Sequence, residues 1–177
     1  NKLIHDAGIS HEDVITSYVC HNCKTVQIMH YHGEEINCPA CGKKSLFTVD
    51  ASCGVTEPEL NQIYNLCDQY CHPVTSGGFE MPLLEAIYAG VPVAVVPYSC
   101  GHSYVENKEV YPLEFTYYRD INNSQFLKSQ PLPSSIADSF NFFYNKTAQE
   151  RREIGSRVRE WALEKFSAAT WLKWLED

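Results

Sequence analysis

The chain has 177 residues, of which 44% are hydrophobic, and its formal net charge is −8 at pH 7. This charge disfavours nucleic acid as the main partner, because contacts between basic side chains and phosphates dominate that kind of binding. The composition suits one globular domain with a small appendage, and no apolar run has the length of a membrane span. We expect no signal peptide, and because residue 1 is Asn and not Met, we expect a fragment or a processed chain.

The first predicted elements are the end of a helix over residues 2–8 and a strand over residues 11–15. Two cysteine pairs follow, Cys20-x-x-Cys23 and, fourteen residues later, Cys38-x-x-Cys41. Two pairs at this spacing can bring four thiolates to the corners of a tetrahedron, which predicts a structural zinc ribbon with these cysteines as ligands. Two disulfides or a rubredoxin-like iron site are the open alternatives.

The ribbon is predicted as a hairpin, with strands over residues 25–32 and 44–49 and a turn at residues 33–35. Since four cysteines already complete a closed site, the nearby His21, His30 and His32 are predicted to be solvated. The metal would fold a segment too short to bury a core of its own. The other thiols are predicted to be small buried residues in a reducing, cytoplasmic compartment: Cys53, Cys67, Cys71 and Cys100.

An α/β pattern begins at Thr56. Thr56-Glu57-Pro58-Glu59 has the spacing of a capping box, which predicts the start of a helix. Apolar residues then mark one helical face at Leu60, Ile63, Tyr64 and Cys67. A strand is predicted to follow over residues 69–73.

The most informative stretch is Thr75-Ser76-Gly77-Gly78-Phe79-Glu80-Met81-Pro82-Leu83-Leu84-Glu85-Ala86. Gly77 and Gly78 allow a ligand to approach the backbone, and Pro82 suits the first turn of a helix. Free N–H groups and the positive end of the helix dipole favour an anion at this turn. Glu85 can accept two hydrogen bonds from a vicinal diol such as ribose, and the alternative is a solvated helical glutamate.

Gly90 is predicted to end this helix, and residues 93–96 to form a central strand of a parallel sheet. The segment resembles the donor-binding motif of retaining glycosyltransferases with the GT-B fold, of the family 4 type. There the usual pattern is Glu-Gly-Phe-Gly-x-Pro-x-x-Glu-Ala, with a later Gly-x-Pro-Val-Val. The residues that match are Gly78, Phe79, Pro82, Glu85, Ala86, Gly90, Pro92 and Val93.

The resemblance implies a fold class and a domain organisation. The fold would be α/β, a Rossmann-like parallel sheet flanked by helices, namely the nucleotide-sugar-binding C-terminal domain of a GT-B enzyme, incomplete at its start. Residues 1–17 and 50–177 would form this donor-binding domain, and residues 18–49 the zinc-ribbon insertion. The N-terminal acceptor-binding domain of the family is expected to lie outside this chain.

The resemblance also implies roles for single residues. Glu85 would hold the donor ribose, while Gly77, Gly78 and Phe79 would approach the sugar and the phosphates through their backbones. The first Glu of the family pattern, which contacts the transferred sugar, is Gly77 here, and the glycine after the phenylalanine is Glu80. Glu80 is therefore the candidate catalytic carboxylate, with a sugar contact from backbone amides alone as the alternative.

Further candidates follow from the same resemblance. The family has a glycine-containing loop near the donor phosphates, which corresponds here to Ser99, Gly101 and His102. His72 either is a core or loop-end histidine or reaches the pyrophosphate. Candidate cations for the diphosphate are Lys108, Arg119 and Lys128, although Arg119 could equally be a surface residue paired with Asp120.

The C-terminal part is predicted to contain a loop over residues 122–133 and two helices. The first helix begins at the capping box Thr147-x-x-Glu150, and Ser167 caps the second, shorter one. Their apolar residues are predicted to pack: Ile154, Val158, Trp161, Ala162, Phe166, Trp171, Leu172, Trp174 and Leu175.

The activity implied is transfer of a sugar from a nucleotide diphosphate donor to an unknown acceptor, with retention at the anomeric carbon and no catalytic metal. The fragment is expected to be inactive without its partner domain. The main alternative is a non-catalytic zinc-ribbon binding or assembly module on a glycosyltransferase-like scaffold. A zinc-ribbon nucleic-acid adaptor is a third hypothesis, against which the acidic charge counts, and a nucleotide-sugar epimerase ranks lower.

Overall fold

The structure is a computed structural model in which residues 5–49, 54–119, 126–170 and 172 are described. The chain divides into two units, residues 1–63 and residues 64–177. The domain boundaries inferred from the sequence stay a prediction. Among the described residues, every helix is too short or too polar to span a lipid bilayer.

The first unit contains a four-stranded antiparallel sheet in the order β2-β1-β4-β3. The strands are β1 (Ile15–Cys20), β2 (Val26–His30), β3 (Glu35–Asn37) and β4 (Lys44–Thr48). Tyr18, Cys20, Cys38 and Leu46 are buried together in its core. The Tyr18 hydroxyl donates to Gly33 O over 2.8 Å and accepts from the N–H of His32 over 3.0 Å, which ties the turn after β2 to this core.

Two expectations for this unit need correction. The strand predicted over residues 11–15 is wrong, because residues 11–13 form a 3₁₀ turn that Ser10 caps by accepting a hydrogen bond from the N–H of Glu12. The ribbon is not a two-stranded hairpin, since β1 and β3 add to it. The predicted strands over 25–32 and 44–49 are confirmed as β2 and β4. Residues 5–6 are helical, and residues 2–4 of the predicted first helix lie outside the described chain.

The second unit contains a three-stranded parallel sheet in the order β5-β6-β7. The strands are β5 (Tyr70–His72), β6 (Val93–Val95) and β7 (Tyr111–Pro112). Each residue of β6 is fully buried, so the predicted central parallel strand is confirmed. The helices are α1 (Glu57–Asn65), within which the two units divide, α2 (Met81–Tyr88), α3 (Gly101–Tyr104), α4 (Pro133–Tyr144) and α5 (Ala148–Phe166).

The long helix α5 is held against the end of α2. A Cβ on Gly155 would lie 1.8 Å from Gly90 O, so only glycine allows this approach. Gly90 has φ +79°, as expected for the residue that ends α2. The capping box of Thr147 and Glu150 at the start of α5 is confirmed, with both reciprocal hydrogen bonds present.

The loop predicted over residues 122–133 is wrong in its described part. β8 (Phe115–Arg119) and β9 (Leu127–Pro131) form an antiparallel hairpin, and α4 begins at Pro133. Residues 122–125 lie outside the described chain. The polar composition of this region did not indicate a strand. Ser129 is nonetheless fully buried in β9, because its hydroxyl forms hydrogen bonds with backbone carbonyls.

Two smaller expectations concern the C-terminus and the spare thiols. Ser167 accepts a hydrogen bond from the N–H of Thr170 over 3.2 Å, which confirms its capping role. Cys67 is exposed, so its predicted burial is wrong, and Cys71 and Cys100 are half-buried. Leu172 is 58% exposed, so its predicted packing is wrong. The remaining residues of these predictions lie outside the described chain: Cys53, Trp171, Trp174 and Leu175.

Candidate functional site

The glycine loop, which we define as residues 73–80, connects β5 to α2. β5 and β6 are parallel, with His72 opposite Val95, so their carboxyl ends lie at the same edge of the sheet. The segment after β6 contacts the glycine loop there, because Ser99 Oγ donates to Gly77 O over 2.7 Å. In open parallel sheets this edge is where ligands bind.

Glu80 lies directly against Gly77. At the N-cap of α2, Glu80 has the left-handed backbone angles φ 59° and ψ 65°, which are uncommon for a glutamate. A Cβ on Gly77 would lie 1.3 Å from Glu80 Oε1 and 2.5 Å from its Cδ. The carboxylate of Glu80 therefore fills the space in which a side chain at position 77 would begin.

His72 holds this carboxylate from β5. Its Nε2 lies 2.8 Å from Glu80 Oε2, and the two side chains are only 13% and 16% exposed. On the other side of the ring, the Tyr70 hydroxyl lies 3.2 Å from Nδ1. Because an ionised carboxylate only accepts hydrogen bonds, Nε2 is the donor in the contact with Glu80. Both ring nitrogens are thus engaged, and a contact of His72 with a pyrophosphate, which stays a prediction, requires one to be released.

The second carboxylate, Glu85, is half-buried one turn into α2. The Tyr64 hydroxyl, from α1, lies 3.1 Å from Glu85 Oε2 and 3.1 Å from Pro82 O. Burial of the Tyr64 ring, and then its hydrogen bond to Glu85, raise the pKa of the phenol above its usual value. Tyr64 is therefore a neutral hydrogen-bond donor at pH 7.

Backbone carbonyls of the glycine loop are held by two buried side chains. The Tyr104 hydroxyl donates to Phe79 O over 2.7 Å, and Ser129 Oγ lies 2.9 Å from Thr75 O and 3.1 Å from Val74 O. Sequence reasoning missed both residues, because Ser129 was assigned to a loop and Tyr104 had no motif around it. These contacts fix the path of the loop without using its N–H groups.

The remaining predicted contacts of the donor phosphates are placed as follows. Ser99 is exposed and has φ 54°. Gly101 is buried, and a Cβ there would lie 1.9 Å from Val96 O, so close packing explains this glycine. His102, in α3, is exposed. Donor contacts by these residues stay predictions.

The three candidate cations lie on different elements. Lys108 lines a cavity of about 280 Å³ together with Glu109 and Arg157. Arg119 ends β8, and Lys128 lies in β9 opposite Tyr118. Ser129, the next residue in β9, is hydrogen-bonded to the glycine loop. Because successive side chains of a strand point to opposite faces, Lys128 points to the face opposite that of Ser129.

The four cysteines of the first unit form a compact cluster. The Sγ atoms of Cys20, Cys23, Cys38 and Cys41 all lie within 4.8 Å of one another. The Sγ–Sγ distances Cys20–Cys41 and Cys23–Cys38 are both 3.7 Å, and all four cysteines are free, so none of them forms a disulfide in this structure. A tetrahedral ion with metal–sulfur bonds of about 2.3 Å would have sulfur–sulfur edges of about 3.8 Å, so the cluster fits such an ion.

Neighbouring groups shift the pKa values of these thiols in different directions. The Ser45 hydroxyl, 3.1 Å from Cys20 Sγ, lowers the pKa of Cys20 to about 5, and the Thr25 hydroxyl lowers the pKa of Cys23. Burial instead raises the pKa of Cys38 to about 11. A bound dication would reverse the effect of burial, since a coordinating thiol is deprotonated. His21, His30 and His32 are exposed, as predicted.

Comparison with known proteins identifies the family. Residues 49–161 match the model of the family described as Glycosyl transferases group 1, and this segment is more than half of the chain. The chain therefore belongs to the glycosyl transferases group 1 family, which supports glycosyl transfer as its general activity. No curated protein matches the chain. The matched segment includes the glycine loop and both carboxylates, whereas the cysteine cluster lies before it.

Proposed function

We propose that this chain is the donor-binding portion of a retaining GT-B glycosyltransferase, of the hexosyltransferase type. It would take part in transferring a sugar from a nucleotide diphosphate donor to an acceptor. The observation that carries the proposal is the pair of carboxylates beside the glycine loop, Glu80 and Glu85, each held by a side chain from a neighbouring element. An N-terminal acceptor-binding domain would supply the opposite wall of the cleft, and without it the chain would bind donor without turnover.

In this proposal Glu85 binds the donor ribose. A carboxylate can accept one hydrogen bond from each hydroxyl of a vicinal diol. The single hydroxyl proton of Tyr64 is shared between Oε2 and Pro82 O, and among the described residues no donor lies on Oε1, so the carboxylate keeps acceptor capacity for a ligand. The alternative, a solvated helical glutamate, is less favoured because Glu85 is half-buried and hydrogen-bonded to a buried phenol.

Glu80 is the proposed contact to the transferred sugar. The resemblance expects a carboxylate from position 77, and the structure has Gly77 with the Glu80 carboxylate in the space beside its Cα. In this proposal a carboxylate from three residues further along the chain would serve the region where a side chain at position 77 would begin. The hydrogen bond from His72 holds it there, so His72 would contribute through Glu80.

The diphosphate would lie over the backbone of the glycine loop. In this proposal the N–H groups of Gly77 and Gly78 would act as donors and the start of α2 would contribute a positive dipole end, with Ser99 and Gly101 on the neighbouring segment. Positioning of the donor and stabilisation of the departing diphosphate would supply most of the rate enhancement. The family mechanism requires no metal for this step.

The cysteine cluster would hold a structural zinc ion. Four thiolates close the coordination sphere and leave no position for a substrate or a reactive water. Such a site and the spare thiols suit a reducing compartment, which for this chain would be the cytoplasm. The role of the metal would be to stabilise the four-stranded sheet.

Thermal unfolding of the metal-loaded protein with UDP-, GDP-, ADP- and TDP-sugars tests the proposal. At about a hundredfold excess over Kd, a ligand for the folded state should raise Tm by on the order of 5 °C. Glu85→Ala should abolish the shift. Glu160→Ala is the matched control, since Glu160 is an exposed carboxylate on α5.

A shift with one donor that Glu85→Ala removes and Glu160→Ala preserves supports the donor site and names the base. If no donor shifts Tm, either for this chain or for a longer protein that contains the partner domain, the glycosyltransferase proposal fails. The non-catalytic binding module would then be the better hypothesis.

A further inference from the structure

Tyr64 has an environment that hydrophobic packing does not explain. The side chain is 8% exposed, and its ring contacts the ring of Tyr70 edge-on at 5.9 Å between centroids. A phenylalanine would make the same ring contacts. The additional hydroxyl is placed 3.1 Å from Glu85 Oε2 and 3.1 Å from Pro82 O.

We infer that Tyr64 is a positioning residue for Glu85, which fixes one carboxylate oxygen so that the other faces a ribose diol; this inference rests on the proposed function. Glutamate has three rotatable side-chain bonds, and a bidentate contact to a diol needs all of them set. The buried phenol, whose single proton is shared between Pro82 O and Oε2, fixes Oε2. Oε1 and the second lone pair of Oε2 then remain for the ligand.

The hydrogen bond also stabilises the charge of the carboxylate. Glu85 lies beside a loop that is proposed to receive an anion, the diphosphate. Among the described residues, the hydrogen bond to the Glu85 carboxylate comes from Tyr64. The phenol is neutral at pH 7, so it stabilises the carboxylate as a donor but does not neutralise its charge.

A purely structural role is the competing explanation. Pro82 O alone would satisfy the buried hydroxyl and join α1 to α2. The two roles predict different effects of a Tyr64 substitution on nucleotide affinity. A structural contact should affect every nucleotide alike, whereas a positioning contact should matter only when the ribose carries its hydroxyls.

The test is a cycle of two proteins and two ligands. The proteins are wild type and Tyr64→Phe; the ligands are a nucleoside diphosphate and its 2′,3′-dideoxy form, measured by isothermal titration calorimetry. UDP, GDP and ADP serve as probes, each with its dideoxy counterpart. We expect Tyr64→Phe to weaken the ribose nucleotide about tenfold, the order of loss when a group that orients a binding residue is removed. Affinity for the dideoxy nucleotide should stay unchanged.

Two controls make the result specific. Tyr18→Phe removes another buried tyrosine hydroxyl, in the core of the four-stranded sheet, and should leave nucleotide affinity unchanged. Glu85→Ala should abolish the difference between the ribose and dideoxy ligands, and in its background Tyr64→Phe should add no further loss. Urea unfolding of each variant checks that it is folded.

The outcomes separate the two claims. Equal weakening of ribose and dideoxy nucleotides by Tyr64→Phe, or no weakening, overturns the positioning role while the donor site stands. If wild type binds both ligands equally and Glu85→Ala has no effect, the ribose role of Glu85 fails, and the positioning role of Tyr64 fails with it. If none of the probes binds, both the donor site and the positioning role of Tyr64 are overturned.

Discussion

The position of the Glu80 carboxylate depends on the absence of a side chain at Gly77. The family pattern expects a glutamate at position 77, and this chain has a glycine there and a glutamate at position 80. The two differences look independent in the sequence. In the structure they are coupled, because the Glu80 carboxylate occupies the place of a Cβ on residue 77.

Gly77→Ala should therefore destabilise the protein. The new methyl group would displace the Glu80 carboxylate from His72, at a cost of about 2 kcal/mol for a hydrogen bond to a charged group. Urea unfolding gives the free energy of unfolding directly. Gly78→Ala is the matched control, since a Cβ there meets no atom within 4 Å.

The control should be neutral or slightly stabilising, because alanine restricts the unfolded chain. Equal stability of the two variants would mean that the Glu80 carboxylate can move at no cost, and the coupling would be rejected.

The sequence could predict which residues surround the site but not how they are joined. The glycine pair, Pro82 and Glu85 follow local rules of loop and helix formation, so they were found from spacing. The hydrogen bonds of Tyr64, Tyr104 and Ser129 join residues 18 to 55 positions apart in the chain. No local pattern encodes such partners, and aromatic residues at helical spacing indicate packing alone.

At the scale of elements, prediction succeeded where local signals are strong. The capping box fixed the start of α5, and the apolar run fixed β6. The β8–β9 hairpin was not predicted, because the Asn, Ser, Gln and Pro residues of this region are typical of a loop. The strand predicted over residues 11–15 was wrong because the Ser10 cap makes a turn at its start, and β1 begins at Ile15.

The cysteine cluster allows a prediction at the scale of the sheet. We expect the protein to retain a single tetrahedral metal ion after gel filtration, measured by metal analysis and by chromophoric chelation. Replacement of the ion by Cd²⁺ should give thiolate charge-transfer absorption in the ultraviolet. Cys38→Ser should lose the ion, because a buried ligand of a closed four-thiolate site cannot be substituted by water.

Cys67→Ser is the control for this experiment, since Cys67 lies outside the cluster and is exposed. Its metal content should equal that of wild type. Retention of the ion by Cys38→Ser, or its loss from Cys67→Ser, would reject the assigned ligands.

At the scale of the whole molecule, each unit has its own source of stability. The core of the first unit includes two of the metal-ligand candidates, Cys20 and Cys38. The core of the second unit includes Ala94 in β6, and Val96 and Leu113, which directly follow β6 and β7. A metal should therefore act on the first unit, and a nucleotide on the second.

Differential scanning calorimetry can test this division of roles. We expect two heat-absorption transitions, because the cores are formed by different residues and depend on different ligands. Chelation of the metal should lower the transition that Cys38→Ser also lowers. A nucleoside diphosphate should raise the other transition, and Glu85→Ala should cancel that rise by removing the proposed ribose contact. A single transition that moves as a whole with either ligand would show that the two units unfold as one cooperative body, and the assignment of one ligand to each unit would be rejected.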